Sequence, residues 1–203
     1  MRIFPQFRHR TPSINPPPSH LIVGLGNPGP EYAFTRHNIG WRVIELLGRR
    51  LQITINRPEC RGLVGIGSYH GETVLLLKPL TYMNRSGISV KEAMRRYQLT
   101  SEQVIIVCDD IYLPLGKLRL RFKGRTAGHN GLGSVLETLG TDEIACVRVG
   151  VGEAPPGQMR GYVLSCFEPE EEATINEAID RATEALVVAI QNGFESAMQR
   201  FNR

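Results

Sequence analysis

Apolar runs and amphipathic segments alternate along most of the chain. Six segments have the apolar content and length of β-strands: 20–25, 62–69, 73–78, 104–108, 117–123 and 144–151. The run at 104–108 is continuously apolar and rich in β-branched residues, which is typical of a strand buried on both faces. His70-Gly71 lies between two of these segments and favours a tight hairpin turn.

Four further segments have apolar residues at helical spacing: 38–50, 86–98, 132–139 and 169–192. Strands and helices alternate and no internal repeat is present. This order predicts an α/β fold, with a single domain built on a mixed, mostly parallel β-sheet that is flanked by helices. Ligands of such sheets usually bind at the carboxyl ends of the strands. We therefore expect a site among the loops at 26–37, 79–84, 109–116 and 124–131.

Size and composition restrict the class of protein. The chain has 203 residues, of which 41% are hydrophobic and 22% are charged, so it can bury a core and is not disordered as a whole. No apolar run approaches the ~20 residues of a membrane helix, which excludes an integral membrane protein. We expect one domain at residues 20–203 in a cytoplasmic protein.

Residues 1–19 differ from the rest of the chain. They contain three arginines, no acidic residue and the run Pro16-Pro17-Pro18. They lack an apolar h-region, so the segment is not a secretory signal. We interpret it as a flexible basic tail. The alternative is a remnant of an organelle-targeting segment, which would place the protein in a stroma or matrix.

The net charge of +4 is small, but the positive charge is concentrated. Residues 111–136 contain no Asp or Glu, and within them four cations alternate with apolar residues: Lys117, Arg119, Arg121 and Lys123. These cations share one face of a strand and could bind phosphate groups. The alternative is a solvated edge strand whose charges oppose aggregation.

The cysteines do not form a metal-binding pattern. The four are Cys60, Cys108, Cys146 and Cys166. They include no C-x-x-C pair, and no histidine pair accompanies them. We therefore expect free, buried thiols and no zinc site.

A glycine pattern after the first strand suggests a nucleotide cofactor at first sight. Gly24, Gly26 and Gly29 match G-x-G-x-x-G. In a dinucleotide-binding motif, however, the helix begins at the glycines and its amides hold the pyrophosphate. Here Pro28 and Pro30 delay the helix to about residue 38. We therefore expect no cofactor.

His37 is a candidate general base, because imidazole is the side chain best suited to accept a proton near neutral pH. Such a base needs an acidic partner to orient it. Asp109 directly follows the buried strand at 104–108, where an unpaired charge would be costly. The alternative is that Asp109-Asp110 is an ordinary solvated strand end.

Three asparagines lie in loops that contain Gly or Pro: Asn27, Asn84 and Asn130. Asparagine is common in loops because it forms Asx turns and tolerates left-handed backbone. The same side chains could instead hold the amide and carbonyl groups of a peptide without adding charge.

Four motifs together resemble bacterial peptidyl-tRNA hydrolase. They are GLGNPGPEYAFTRHNIG (24–40), KPLTYMNRSG (78–87), the segment Asp109-Asp110 to Leu113-Pro114 and Gly116, and AGHNGLGS (127–134). Their order is that of the family, and the resemblance runs from about Leu21 to the long C-terminal helix.

The resemblance implies a monomeric, metal-free α/β enzyme that cleaves the ester between a peptide and the 3′-terminal ribose of tRNA. His37 would be the base, Asp109 its orienting acid, and Asn27 would position substrate or water. Asn84 and Asn130 would bind the peptide backbone beside Tyr32 and Met83. The tRNA acceptor stem would face His129, Arg148 and the basic strand.

Some residues depart from the family pattern. Tyr112 replaces an acid that many relatives carry, and Arg125 lies in a run that is usually composed of small residues. Neither departure removes a proposed catalytic group. The main alternative is a catalytically idle RNA- or partner-binding relative, such as a group II intron splicing factor. The retained His37, Asp109 and three asparagines favour the enzyme.

Overall fold

A computed structural model describes residues 16–123 and 126–202. Its seven strands form one sheet in the order β2-β3-β4-β1-β5-β7-β6. The strands are β1 (His20–Gly24), β2 (Arg57–Glu59), β3 (Gly62–Tyr69), β4 (Glu72–Pro79), β5 (Val104–Asp110), β6 (Leu118–Arg121) and β7 (Ala145–Gly150). The helices are α1 (Ile39–Leu51), α2 (Ser86–Tyr97), α3 (Asn130–Leu139), α4 (Met159–Val163), α5 (Pro169–Asn192) and α6 (Phe194–Phe201).

The sheet is mixed, with parallel strands at its centre. β1 pairs in parallel with β4 and β5, and β5 pairs in parallel with β7. The pairs β2–β3, β3–β4 and β6–β7 are antiparallel. β2, β4, β1, β5 and β7 therefore run in one direction, and β3 and β6 in the other. This arrangement confirms the predicted α/β class with a mixed, mostly parallel sheet.

Helices cover both faces of the sheet and bury two apolar clusters. Ile22 of β1 packs in the cluster that contains α1, α5 and α6. Its neighbours Leu21 and Val23 pack in the cluster that contains α2 and α3. Because successive strand residues point to opposite faces, this alternation explains why the central strands are apolar at almost every position.

Most predicted elements are present, with changes at their ends. β6 is shorter than the predicted strand at 117–123, and Phe122 beyond it is 49% exposed, with its ring 5.1 Å from that of Phe194. β2, α4 and α6 were not predicted. β2 and α4 contain three and five residues, too few to show a period.

Residues outside the regular elements agree with the sequence predictions only in part. The tail up to residue 15, with Gly124 and Arg125, lies outside the described residues. Pro18 and Ser19, assigned to the tail, already bond to the domain through Gln103 Nε2 and the Thr73 carbonyl. All four cysteines are free, but Cys166 is exposed, contrary to the prediction. None of the helices in the described ranges is long and apolar enough to cross a membrane.

Close backbone packing places the carboxyl ends of the central strands against the start of α1. A Cβ at Gly24 would lie 2.3 Å from the carbonyl oxygen of Gly40, and a Cβ at Gly40 would lie 2.5 Å from that of Val107. These glycines let α1 begin directly on β1 and β5. The G-x-G pattern therefore serves helix–strand packing, and it brings the residues that precede α1 to the end of β5.

Candidate active site

A cavity of about 820 Å³ opens at the carboxyl ends of β4, β1, β5 and β7. Nine of the predicted site residues line it: Asn27, Tyr32, His37, Met83, Asn84, Asp109, His129, Asn130 and Arg148. They come from the segments after β1 and β4, from β5 and β7 themselves and from the start of α3. The parallel centre of the sheet brings the carboxyl ends of β4, β1, β5 and β7 to one edge. Lys117, Arg119, Arg121 and Lys123 do not line the cavity.

His37 and Asp109 form a buried pair on one wall of this cavity. His37 is the middle residue of a 3-10 helix, Arg36–Asn38, that leads into α1, and Asp109 is the penultimate residue of β5. Nδ1 of His37 lies 2.8 Å from Oδ1 of Asp109, and the residues are 7% and 3% exposed. With Nδ1–H donating to the carboxylate, Nε2 of His37 retains its lone pair and can accept a proton.

His129 binds the same carboxylate oxygen. Its Nε2 lies 2.9 Å from Oδ1 of Asp109, and its Nδ1 accepts hydrogen bonds of 3.1 Å from the backbone N–H groups of both Gly131 and Leu132. Nδ1 therefore carries no proton, and Nε2–H must be the donor to Asp109. The cap of α3 thus fixes the tautomer of His129 and turns its ring towards Asp109. The expectation had His129 facing the acceptor stem, but here it is only 9% exposed.

Two imidazoles keep Asp109 charged. Burial alone would raise the pKa of this carboxyl, but the electrostatic interactions and hydrogen bonds with His129 and His37 outweigh it and hold the pKa well below the usual range. Asp109 is therefore an anion at neutral pH. An anion at this position can stabilise the imidazolium that forms when His37 takes up a proton.

These three side chains also have the spacing of metal ligands. One ligand atom from each of His37, Asp109 and His129 lies within 4.8 Å of the others, the one such group among the described residues. Both nitrogens of His129 are occupied by hydrogen bonds, and Oδ1 of Asp109 accepts two of them. The observed hydrogen bonds suit proton transfer, and a metal ligand set would require them to break.

The side-chain amide of Asn27 is held through its oxygen, and its nitrogen forms no hydrogen bond within the described residues. Its Oδ1 accepts a 2.9 Å hydrogen bond from the backbone N–H of Met83, which leaves Nδ2 as the group available to a ligand. The backbone of Asn27 is fixed in turn by Asn38, whose Oδ1 accepts from Asn27 N at 2.8 Å and whose Nδ2 donates to Asn27 O at 3.0 Å. Asn38 is fully buried. Sequence reasoning missed it, although it directly follows His37.

Apolar side chains form another wall of the cavity. The predicted residues Tyr32 and Met83 line the cavity, as do Met159 and Val163 of α4. Tyr82 also lines it and is 61% exposed. Asn84 and Asn130 line the same cavity and are exposed, so their amides are available to a ligand. The wall from α4 was not predicted.

The comparisons with known proteins agree on one family. A family model described as Peptidyl-tRNA hydrolase matches residues 21–203. Curated peptidyl-tRNA hydrolases from Caldanaerobacter subterraneus subsp. tengcongensis and Carboxydothermus hydrogenoformans are 44% and 45% identical over 183 residues, which cover 90% of this chain and 99% and 98% of theirs. The chain belongs to the peptidyl-tRNA hydrolase family. The crystal structure of peptidyl-tRNA hydrolase from Acinetobacter baumannii matches with a TM-score of 0.85 at 37% identity, over 90% of this chain and 94% of that one.

Membership of the peptidyl-tRNA hydrolase family makes this chain a member of an enzyme family, and the alternative of an idle binding relative is not favoured.

The residues expected to face tRNA lie in two different environments, one buried in the site and one exposed on the edge strand. Arg148 is 7% exposed, and its Nη1 lies 3.2 Å from Oδ2 of Asp110. Arg119 and Arg121 project from the exposed face of the edge strand β6, and Lys123 pairs with Glu143 at 2.5 Å. The edge position of β6 is compatible both with phosphate binding and with a solvated edge strand whose charges oppose aggregation.

Arg36, next to the base, is a second residue that sequence reasoning missed. Its guanidinium binds both carboxylate oxygens of Glu171 in the first turn of α5, at 3.1 and 2.6 Å, and donates to the Val151 carbonyl at 2.9 Å. It also stacks 4.4 Å from the centre of the Tyr162 ring. These contacts tie the short helix that carries His37 to α4 and α5. The acid-rich start of α5 was the one sequence signal for such a partner.

Proposed function

We propose that this protein hydrolyses the ester bond between a peptide and the 3′-terminal ribose of tRNA, and so recycles tRNA from prematurely released peptidyl-tRNA. The supporting observation is the buried His37–Asp109 pair, with Nε2 of the imidazole available, on the wall of a large cavity in a member of this family. An ester needs less activation than an amide, so a water molecule activated by a base is a sufficient nucleophile.

The proposed reaction moves one proton through His37. Nε2 removes a proton from water as the water oxygen attacks the ester carbonyl, and Asp109 stabilises the resulting imidazolium. Collapse of the tetrahedral intermediate breaks the bond to the ribose oxygen, which receives the proton from Nε2. The products are the peptide acid, which releases the second proton of the water to solvent to become a carboxylate, and tRNA with a free terminal hydroxyl.

In this proposal, Nδ2 of Asn27, whose Oδ1 is held by Met83 N, donates to the water or to the developing oxyanion. One well-aligned donor of this kind contributes roughly 2.7–4 kcal/mol to the stabilisation of a transition state. Tyr32 and Met83 contact the peptide through apolar surface, while the amides of Asn84 and Asn130 bind its backbone.

The tRNA binds mainly through phosphates. Arg119 and Arg121 on β6, with Lys117 and Lys123 beside them, form an exposed cationic surface that recognises the backbone without regard to sequence. His129 and Arg148 act from inside the site, since they hold the carboxylates of Asp109 and Asp110.

Residues 20–203 form the catalytic unit, which acts as a monomer without metal or cofactor. It works in the cytoplasm, or in an organelle if the basic segment at residues 1–19 serves for targeting.

The test is hydrolysis of an N-blocked aminoacyl-tRNA by the purified full chain, followed as release of the blocked amino acid. We expect multiple turnovers without added metal and in the presence of a chelator. Binding of the substrate with no release above the uncatalysed rate would contradict the proposal and support an idle RNA-binding relative.

A further inference from the structure

The cavity carries two cations that the proposed mechanism does not use. Arg85 ends the 3-10 helix Met83–Arg85, and Arg160 is the second residue of α4. Both side chains line the cavity and both residues are exposed. Neither forms an ion pair or a side-chain hydrogen bond within residues 16–123 and 126–202. Their charges therefore remain available to a ligand.

The acids of the cavity do not offset these charges. Asp109 and Asp110 are the acidic residues that line it, and both are buried. Asp109 accepts hydrogen bonds from two imidazoles, and Asp110 pairs with Arg148. The part of the wall that a ligand can touch is therefore cationic as well as apolar.

The segments that carry the two arginines each approach the chain at or just before the start of α3. The Sδ atom of Met83, two residues before Arg85, lies 2.3 Å from the position that a Cβ at Gly131 would take. The Sδ atom of Met159, next to Arg160, lies 4.0 Å from the position that a Cβ at Gly128 would take. Arg85 follows β4, whereas the basic strand β6 is at the far end of the order β4-β1-β5-β7-β6. Three strands of the sheet thus separate β4, which precedes Arg85, from the strand that carries the cations proposed to hold tRNA.

We infer that Arg85 and Arg160 select the peptide by charge: they favour peptidyl-tRNAs with an acidic side chain next to the ester-linked amino acid and disfavour those with a basic one. This inference rests on the proposed function, since it takes the peptide to occupy this wall. An exposed ion pair changes an equilibrium by about 1.5- to 5-fold. Two such contacts predict a preference for an acidic over a neutral peptide of about 2- to 25-fold in kcat/KM.

The test uses three substrates on the same tRNA: N-acetyl-Glu-Phe-tRNA, N-acetyl-Gln-Phe-tRNA and N-acetyl-Lys-Phe-tRNA. Because the tRNA is constant, ratios of kcat/KM isolate the peptide. We expect the order Glu, Gln, Lys, with ratios near one in the double variant Arg85→Gln/Arg160→Gln. Arg95→Gln, an exposed arginine of α2 that does not line the cavity, should leave the ratios unchanged. High salt should reduce the ratios of the unmodified chain.

Equal kcat/KM for the three peptides would overturn the inference. So would a uniform loss for all three in the double variant, which would assign the arginines to tRNA. Dissociation constants for the same substrates, measured by fluorescence anisotropy, separate the inference from the proposed function. The same order in binding without any hydrolysis would support the peptide preference and contradict the hydrolase.

Discussion

Replacement of the carboxylate by an amide at Asp109 tests the electrostatic role of the pair. In Asp109→Asn, the amide oxygen can occupy the position of Oδ1. His129 favours that orientation, because its Nδ1 is committed to the amides of Gly131 and Leu132 and its Nε2–H needs an acceptor. Nδ1–H of His37 keeps the same acceptor, so the substitution removes charge without changing the tautomer of the base.

The size of the effect follows from the geometry. Nδ1 of His37 lies 2.8 Å from Oδ1 of Asp109, so the two charge centres are about 4 Å apart. Two unit charges at about 4 Å attract by about 4 kcal/mol at an effective dielectric constant of about 20. A half-formed imidazolium in the transition state feels about half of this, and a fully formed one feels all of it. At about 1.36 kcal/mol per tenfold in rate, Asp109→Asn should lower kcat by about 30-fold to 10³-fold.

The assay is single-turnover hydrolysis of a blocked aminoacyl-tRNA at neutral pH, with the dissociation constant for tRNA measured in parallel. We expect the dissociation constant to change little. Asp142→Asn, at an exposed position before β7, is the matched control and should keep full activity. A loss of less than about threefold would refute the electrostatic role of Asp109. A loss beyond about 10⁴-fold would show that His129 does not preserve the tautomer.

Three other substitutions test separate parts of the account. Asn38→Asp keeps the acceptor for Asn27 N but places a second oxygen against Asn27 O, so kcat should fall roughly 10- to 100-fold; in an Asn27→Ala background its further effect should be small. Arg121→Ala should raise KM about 3- to 10-fold for tRNA substrates and reduce the salt dependence of binding by about one ion. Hydrogen bonding from Arg36 holds the pKa of Glu171 below its usual range, against the effect of burial. The stability contributed by Glu171 is therefore present above its unfolded pKa of about 4.3 and is lost as pH falls through its folded pKa. Glu171→Gln should lower the free energy of unfolding by about 3 kcal/mol at neutral pH and remove that acid dependence.

Each of these predictions has an outcome that would contradict it. Fully additive effects of Asn38→Asp and Asn27→Ala would mean that Asn38 does not act through Asn27. An equal effect of Arg121→Ala on a short aminoacyl ester that lacks tRNA would remove Arg121 from tRNA binding. For Glu171, the control is Glu170→Gln, an exposed neighbour in the same turn. If both glutamate variants unfold with the same acid dependence, the pairing with Arg36 does not determine it.

The sequence predicted the strands and long helices because their apolar periods are long and regular. It also indicated His37 and Asp109, since a polar residue just outside a buried run needs a partner. It could not place His129, because the hydrogen bonds that orient this imidazole come from two backbone N–H groups at the start of α3 and not from a side chain. The wall from α4 was missed because five residues show no period.

Other residues show why spacing alone misleads. The G-x-G pattern is typical of nucleotide binding, yet Gly24 serves close packing against Gly40. Cys166 follows apolar residues and its backbone forms an isolated bridge with the buried Thr35, yet Cys166 is exposed. Asn38 and Arg36 flank the base in the sequence, but their partners are 11 and 135 positions away. Only the folded chain shows those contacts.

The most direct test of the mechanism is the rate of ester hydrolysis by His37→Ala compared with the unmodified chain and with His70→Asn, a control at the β3–β4 turn. We expect His37→Ala to lose most of kcat while its affinity for tRNA stays largely intact, and His70→Asn to remain fully active. An unchanged rate in His37→Ala would contradict the assignment of this imidazole as the base.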